Sequence, residues 1–212
     1  VAQAALRSGR TPDAVRLVAV TKTVGADEVR ALHLLGVRDF GENRVAEAAA
    51  KLQACRWPDV RWHMIGHLQR NKVKAVAGEY RLIHSLDSVR LAEEIQRRCD
   101  MAGITQDALV QVNISGEQTK FGLDAGAAER LLQEIAPLDR LRVRGFMTMA
   151  PVASDPEEAR PIFRGLRELR DRLAGRFPGL ALRELSMGMS QDFEVAVEEG
   201  ATLVRVGSAL FQ

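Results

Sequence analysis

Cysteine is nearly absent from this sequence. Cys55 and Cys99 are the only two in 212 residues, and no CxxC spacing surrounds either. That argues against a disulfide-stapled scaffold and a cysteine zinc site, and reads as two free thiols in a reducing compartment. A dominant charge is also missing: 30 basic residues stand against 28 acidic ones, a net charge of +2. No block of like charge occurs, so nothing marks a nucleic-acid surface. No apolar run approaches the roughly 20 residues of a membrane helix. The opening "VAQAALRSGR" lacks the apolar centre of a signal peptide. It starts on Val1 in place of Met, which reads as a trimmed start. Linkers rich in Pro, Gly or Ser, low-complexity segments and internal repeats are all absent. These absences predict a cytoplasmic protein with one domain over residues 1–212, without nucleic-acid or membrane partners.

What the chain does contain is a regular alternation. Short β-rich runs at 17–21, 37–40, 61–65, 82–85, 108–113, 142–147, 182–185 and 203–206 are separated by amphipathic stretches. In "SVRLAEEIQRRCDMAG" (88–103), Leu91, Ile95 and Cys99 fall on one helical face, and Gly103 supplies the stop. "DPEEARPIFRGLRELRDRLAG" (155–175) opens acidic and closes basic, as the helix dipole favours, with Pro161 marking a kink or a late start. Eight strand-like runs alternating with helices predict an α/β fold, a single-domain (β/α)8 TIM-type barrel. A doubly wound open sheet is the competing architecture. In the barrel, functional residues belong in the loops after the strands.

Lys22 follows the first strand, "RLVAV", almost at once. An ammonium at a core strand's end either snorkels to solvent or does chemistry. After the seventh and eighth strands, "LSMGMSQDF" and "LVRVGSALF" place Gly188, Ser190, Gly207 and Ser208 where small residues let backbone N–H groups approach an anion. In barrels of this kind these two loops are the frequent phosphate site. A lysine across the mouth from a phosphate site points to an aldehyde cofactor, since burial disfavours the charged amine and a neutral amine forms imines. Pyridoxal phosphate (PLP) carries both groups.

"VAVTK", "FGENRVAE", "WHMIGHLQRNK", "HSLDS", "QVNISGEQTKFGL", "GFMTM" and "LSMGMSQDFEVAVEEGATLVRVGSALF" occur in that order from about residue 17 to residue 211. Together they resemble the pyridoxal phosphate homeostasis proteins, barrels similar to the N-terminal domain of alanine racemase. The resemblance implies that Lys22 holds PLP as an aldimine, and that Ser190, Gly207 and Ser208 hold its phosphate. It places Arg205 opposite the pyridine nitrogen, with Asn43 and Met64 beside the cofactor. An arginine can only donate hydrogen bonds, so it disfavours a protonated ring and leaves a poorer electron sink.

A racemase of this fold needs a second acid/base, supplied in the alanine racemases by a tyrosine of an added β domain. The single tyrosine here, Tyr80, precedes the fourth strand and so sits at the wrong end of the barrel. The expectation is therefore a non-catalytic, monomeric PLP carrier, with no catalytic residues and no metal. It would serve intracellular PLP homeostasis and amino/keto-acid balance, touching apo PLP-enzymes transiently. A PLP-dependent racemase or lyase is the alternative, and a phosphate-binding barrel enzyme using Lys22 without PLP is a third reading. Lys120, in a loop on the same face, is a second candidate amine. Lys72 and Lys74 read as surface residues at a helix start. His63 and His67, four apart, straddle a strand end and Gly66, which breaks the face a metal would need.

Overall fold

The structure, a computed structural model, describes residues 1–117 and 121–211. Strands β1 Arg16–Val20, β2 Asp39–Glu42, β3 Arg61–Met64 and β4 Leu82–Leu86 are followed by β5 Gln106–Gln111, β6 Leu141–Met147, β7 Glu184–Ser186 and β8 Leu203–Val206. All pair in parallel and in chain order, and the sheet closes where β1 meets β8, from Arg16 opposite Leu203 to Ala19 opposite Val206. That closure makes the fold the (β/α)8 barrel read from the alternation and excludes the open sheet. Around it lie helices α1 Ala2–Arg7, α2 Ala26–Leu34, α3 Val45–Ala54, α4 Val89–Ala102, α5 Ala125–Glu134, α6 Arg160–Arg176 and α7 Phe193–Glu198. No helix among the described residues is long and apolar enough to cross a membrane.

Strand alternation divides the core in two. Val18, Leu82, Leu109, Met147 and Leu203 point into the barrel and form a small inner cluster. Their neighbours of opposite parity, among them Ala19, Phe40, Trp62, Ile83 and Phe146, point outward and form one large core with the helices. Fully burying a Val, Leu, Ile, Phe or Met side chain in either core stabilises the fold by about 1.5–3 kcal/mol.

Two helix signals behave as the sequence predicts. Gly103 ends α4 in the left-handed conformation at φ 64°. Pro161 sits in the first turn of α6, after a 3-10 turn at Pro156–Ala159, so it marks a late start and no kink. Other boundaries differ. β2 begins at Asp39 and runs through Gly41 and Glu42, starting and ending two residues later than the run 37–40 read from sequence. Gly41 stays in the strand because it faces inward, where an added Cβ would lie 3.0 Å from Val18. Between β3 and β4, where a helix was expected near Lys72, the chain makes only a 3-10 helix, Arg70–Ala75.

Candidate functional site

A cavity of about 580 Å³ opens at the carboxyl ends of the strands. Lys22, Asn43, Ser190, Arg205, Gly207 and Ser208 all line it. Six of the seven residues singled out from sequence are thus brought together. Met64 is not: it is buried in the outer core with the helices. Strand parity is the reason, since His63 faces into the barrel and Met64 therefore faces out. The inward residue at that level is Ile65, which does line the cavity. Lys120 lies outside the described residues.

The same parity explains Lys22. Val18 belongs to the inner cluster and Val20 lines the cavity, so the next residue on that side is Lys22. Its side chain has no hydrogen bond or ion pair with any described residue. The turn that carries it is held from behind by a buried cluster. Lys51 on α3, 8% exposed, donates from Nζ to the Thr21 carbonyl at 2.5 Å and to Glu42 Oε1 at 2.6 Å. The Thr21 hydroxyl donates to the same Glu42 oxygen at 2.5 Å. A buried ion pair persists when its hydrogen bonds are satisfied, and this one fixes the residue before Lys22. Sequence reading missed it, because a lysine in a helical stretch reads as solvated.

On the far side, the backbone N–H groups of Gly207 and Ala209 both donate to Ser190 Oγ, at 3.2 and 3.4 Å. Two amides converging on one neutral oxygen form a cradle that a charged oxygen would fill better. The loop carrying Ser190 is shaped by Gly188 at φ +92°, where a Cβ would come within 2.5 Å of Ala196. It is tied further by the Met189 N–H donating to Asp192 Oδ1 at 2.6 Å. Asn43 is placed by close approach: an added Cβ on Gly66 would lie 2.1 Å from the Asn43 carbonyl oxygen.

Arg205 reaches the cavity from β8 while 95% buried, and burial lowers its pKa to about 10, partly opposed by the Asp192 carboxylate. It remains a cation at neutral pH. One terminal nitrogen donates to the Thr148 carbonyl at 2.9 Å, the other to Ser186 Oγ at 2.6 Å. Behind it runs a chain of hydrogen bonds through the barrel interior. Ser186 Oγ lies 2.8 Å from His84 Nδ1, His84 Nε2 lies 2.9 Å from His63 Nδ1, and His63 Nε2 lies 2.9 Å from Asp39 Oδ1.

The ends of this chain fix its direction. For Asp39, burial favours the neutral acid, but hydrogen bonds from His63 and Arg61 outweigh it and hold the pKa at about 2. Asp39 therefore only accepts. Burial lowers the pKa of both histidines, so both are neutral, each with one donor and one acceptor nitrogen. His63 donates from Nε2 to Asp39, so its Nδ1 accepts from His84 Nε2–H. His84 Nδ1 then accepts from the Ser186 hydroxyl, whose oxygen accepts from Arg205. Every link points from the cation to the anion. The links of this chain were not visible in sequence, where Arg205 was read only toward the cofactor and His63 drew notice only for its spacing to His67.

His67 sits elsewhere, on the cavity wall, with Nδ1 3.2 Å from Asp87 Oδ2 and its ring stacked on Phe121. Among the described residues no cluster of His, Cys, Asp or Glu could hold a metal ion. Tyr80 is buried in the outer core and does not line the cavity.

Comparison with known proteins covers nearly the whole chain. The family model described as "Alanine racemase, N-terminal domain" matches residues 3–212. A pyridoxal phosphate homeostasis protein of Aquifex aeolicus (strain VF5) is 46% identical over 211 residues, covering 100% of this chain and 92% of that one. Among solved structures, PipY of Synechococcus elongatus PCC7942 with PLP bound is 38% identical, with a TM-score of 0.89 over 99% of this chain and 98% of that one. An alanine racemase of Clostridium difficile 630 shares the fold, at 14% identity and a TM-score of 0.80, over 99% of this chain and 54% of that one.

Proposed function

The chain belongs to the alanine racemase N-terminal domain family and, within it, to the pyridoxal phosphate homeostasis proteins, and from that premise we propose that it holds PLP covalently at Lys22 without turning over a substrate. One observation carries the reading. A lysine with no partner among the described residues faces the same cavity as a buried arginine and a cradle of two backbone N–H groups. When bound, PLP brings an aldehyde for an amine and a dianionic phosphate.

The chain's own residues divide the work of binding. The Lys22 amine would take the aldehyde, in the place that the Thr21–Glu42–Lys51 cluster sets for its backbone. Ser190, Gly207 and Ser208 would hold the phosphate through hydroxyl and N–H donors. Arg205, which can only donate, would serve the ring nitrogen and disfavour its protonation. Asn43 would bound the cavity on the cofactor's side.

In this reading residues 1–212 are one PLP-binding domain, monomeric and cytoplasmic. It holds the cofactor for apo PLP-enzymes and so supports amino/keto-acid balance. The names of its relatives support the part of this that is PLP homeostasis. Incubation with PLP, borohydride reduction and intact-mass measurement test the anchor. One reduced adduct on the parent and none on Lys22→Ala is the expected result, and an adduct that persists in the variant refutes it.

A racemase or lyase is the second reading, because His67, oriented by Asp87, lines the cavity as an available acid/base. Exchange of the α-proton of amino acids decides between the two. A carrier shows none above free PLP, whereas an enzyme shows exchange that His67→Gln abolishes.

A further inference from the structure

The opposite end of the barrel, where the strands begin, holds a second cavity of about 250 Å³. Arg16, Arg81, Arg144 and Arg183 line it together with Asp107 and Glu184, and His63 contributes to the wall. With His63 neutral, four guanidinium groups face two carboxylates, an excess of two positive charges in a concave site.

Part of this network holds the sheet together. Arg16 donates to Glu184 Oε1 at 2.5 Å, joining the starts of β1 and β7. Asp107, on β5, draws Arg142 and Arg144 from β6 at 2.7 and 3.2 Å. That role leaves donors unused. Arg81 is 3.9 Å from Asp107, beyond a hydrogen bond. Arg144 meets Asp107 through Nε, and its two terminal nitrogens have no hydrogen-bond partner among the described residues. Arg183 is exposed and has no side-chain partner among them at all. A network that served the sheet alone would balance its charges, because converging cations repel and a low-dielectric concavity strengthens the repulsion.

We infer that this cavity is a second binding site, separate from the cofactor cavity, for a small dianion such as phosphate or a short dicarboxylate. Two added negative charges neutralise the lining. Arg144 and Arg183 present planar forks suited to phosphate or carboxylate oxygens. The volume lies below the usual range of sites for larger organic ligands, so it suits a small ion. Nothing in this inference depends on PLP being the cofactor.

Calorimetric titration with inorganic phosphate and with malonate tests it, using the parent chain, Arg183→Glu and Ser190→Ala. Arg183 is exposed and partnerless, so its reversal leaves the fold intact, which a melting curve checks. Saturable binding of at least one dianion is expected in the parent and in Ser190→Ala. In Arg183→Glu the affinity falls about tenfold or more. Whichever of phosphate and malonate binds tighter identifies the ligand's source, and the monoanion acetate binds more weakly than both. Absence of saturable binding by either dianion overturns the inference. So does binding that Arg183→Glu leaves unchanged, including the case in which Ser190→Ala abolishes it and the anion therefore sits in the cofactor cavity.

Discussion

Two buried serines, Ser85 and Ser186, form a matched pair for testing the interior chain. Both are 0% exposed, on β4 and β7, yet their hydroxyls differ in one respect. Ser186 Oγ accepts from Arg205 and donates to His84, whereas Ser85 Oγ has no partner among the described residues. Ser186→Ala removes a hydrogen bond from a charged group, worth about 1.5–3 kcal/mol, and strands the acceptor nitrogen of His84 at a further cost of about 1–3 kcal/mol. A loss of about 4 kcal/mol is therefore expected, a large share of the roughly 5–15 kcal/mol that stabilises a typical domain. Ser85→Ala removes a hydroxyl that gains nothing in the fold, so its stability stays within about 1 kcal/mol of the parent or rises. Urea unfolding of the three proteins provides the assay, with an unchanged m-value showing that stability changed and the surface exposed on unfolding did not. Equal effects at the two sites, or a Ser186→Ala loss below about 1 kcal/mol, would falsify the directional chain.

Three further outcomes follow from the same geometry. Asp39, held at about 2 against an ordinary 3.8, binds its proton more readily when unfolded. Its contribution of about 2 kcal/mol is complete above pH ~4 and lost as pH falls to ~2; urea midpoints across that window should show this loss in the parent and not in Asp39→Asn. Lys51→Ala leaves the Glu42 carboxylate buried without its cation, which costs about 3–5 kcal/mol. It also loosens the Thr21 carbonyl, so PLP adduct formation at Lys22 should slow measurably in a timed borohydride quench. Gly188→Ala combines a left-handed φ with a 2.5 Å clash on Ala196, a strain of about 1–3 kcal/mol that should lower both the melting temperature and PLP occupancy.

The barrel and much of its mouth were legible because both depend on local patterns. Alternation gave the strands, and their parity carries Lys22 inward from Val18 and Val20. The small residues at Ser190, Gly207 and Ser208 mark close backbone approach whatever surrounds them. Met64 lies outside the cavity and Ile65 lines it, a difference that two equally apolar neighbours hide because only the strand's phase tells which faces in. The chain from Asp39 to Arg205 could not be read at all. Its members sit on β2, β3, β4, β7 and β8, and the His84–Ser186 link crosses the interior between strands that are not neighbours. Such a contact exists only after closure, so no spacing in the sequence encodes it. The arginines of the second cavity were hidden for the same reason, since each alone reads as an ordinary charge at a strand start.

β8 comes after β1 to β7 in chain order, and it closes the barrel between β7 and β1. Lys22 follows β1, while Arg205, Gly207 and Ser208 lie on β8 or just beyond it. During synthesis Lys22 is therefore made well before the N–H cradle and the guanidinium that share its cavity. The cavity is complete only once β8 pairs with β1. Under the proposed function, the barrel's seam then sets when a cofactor can be held.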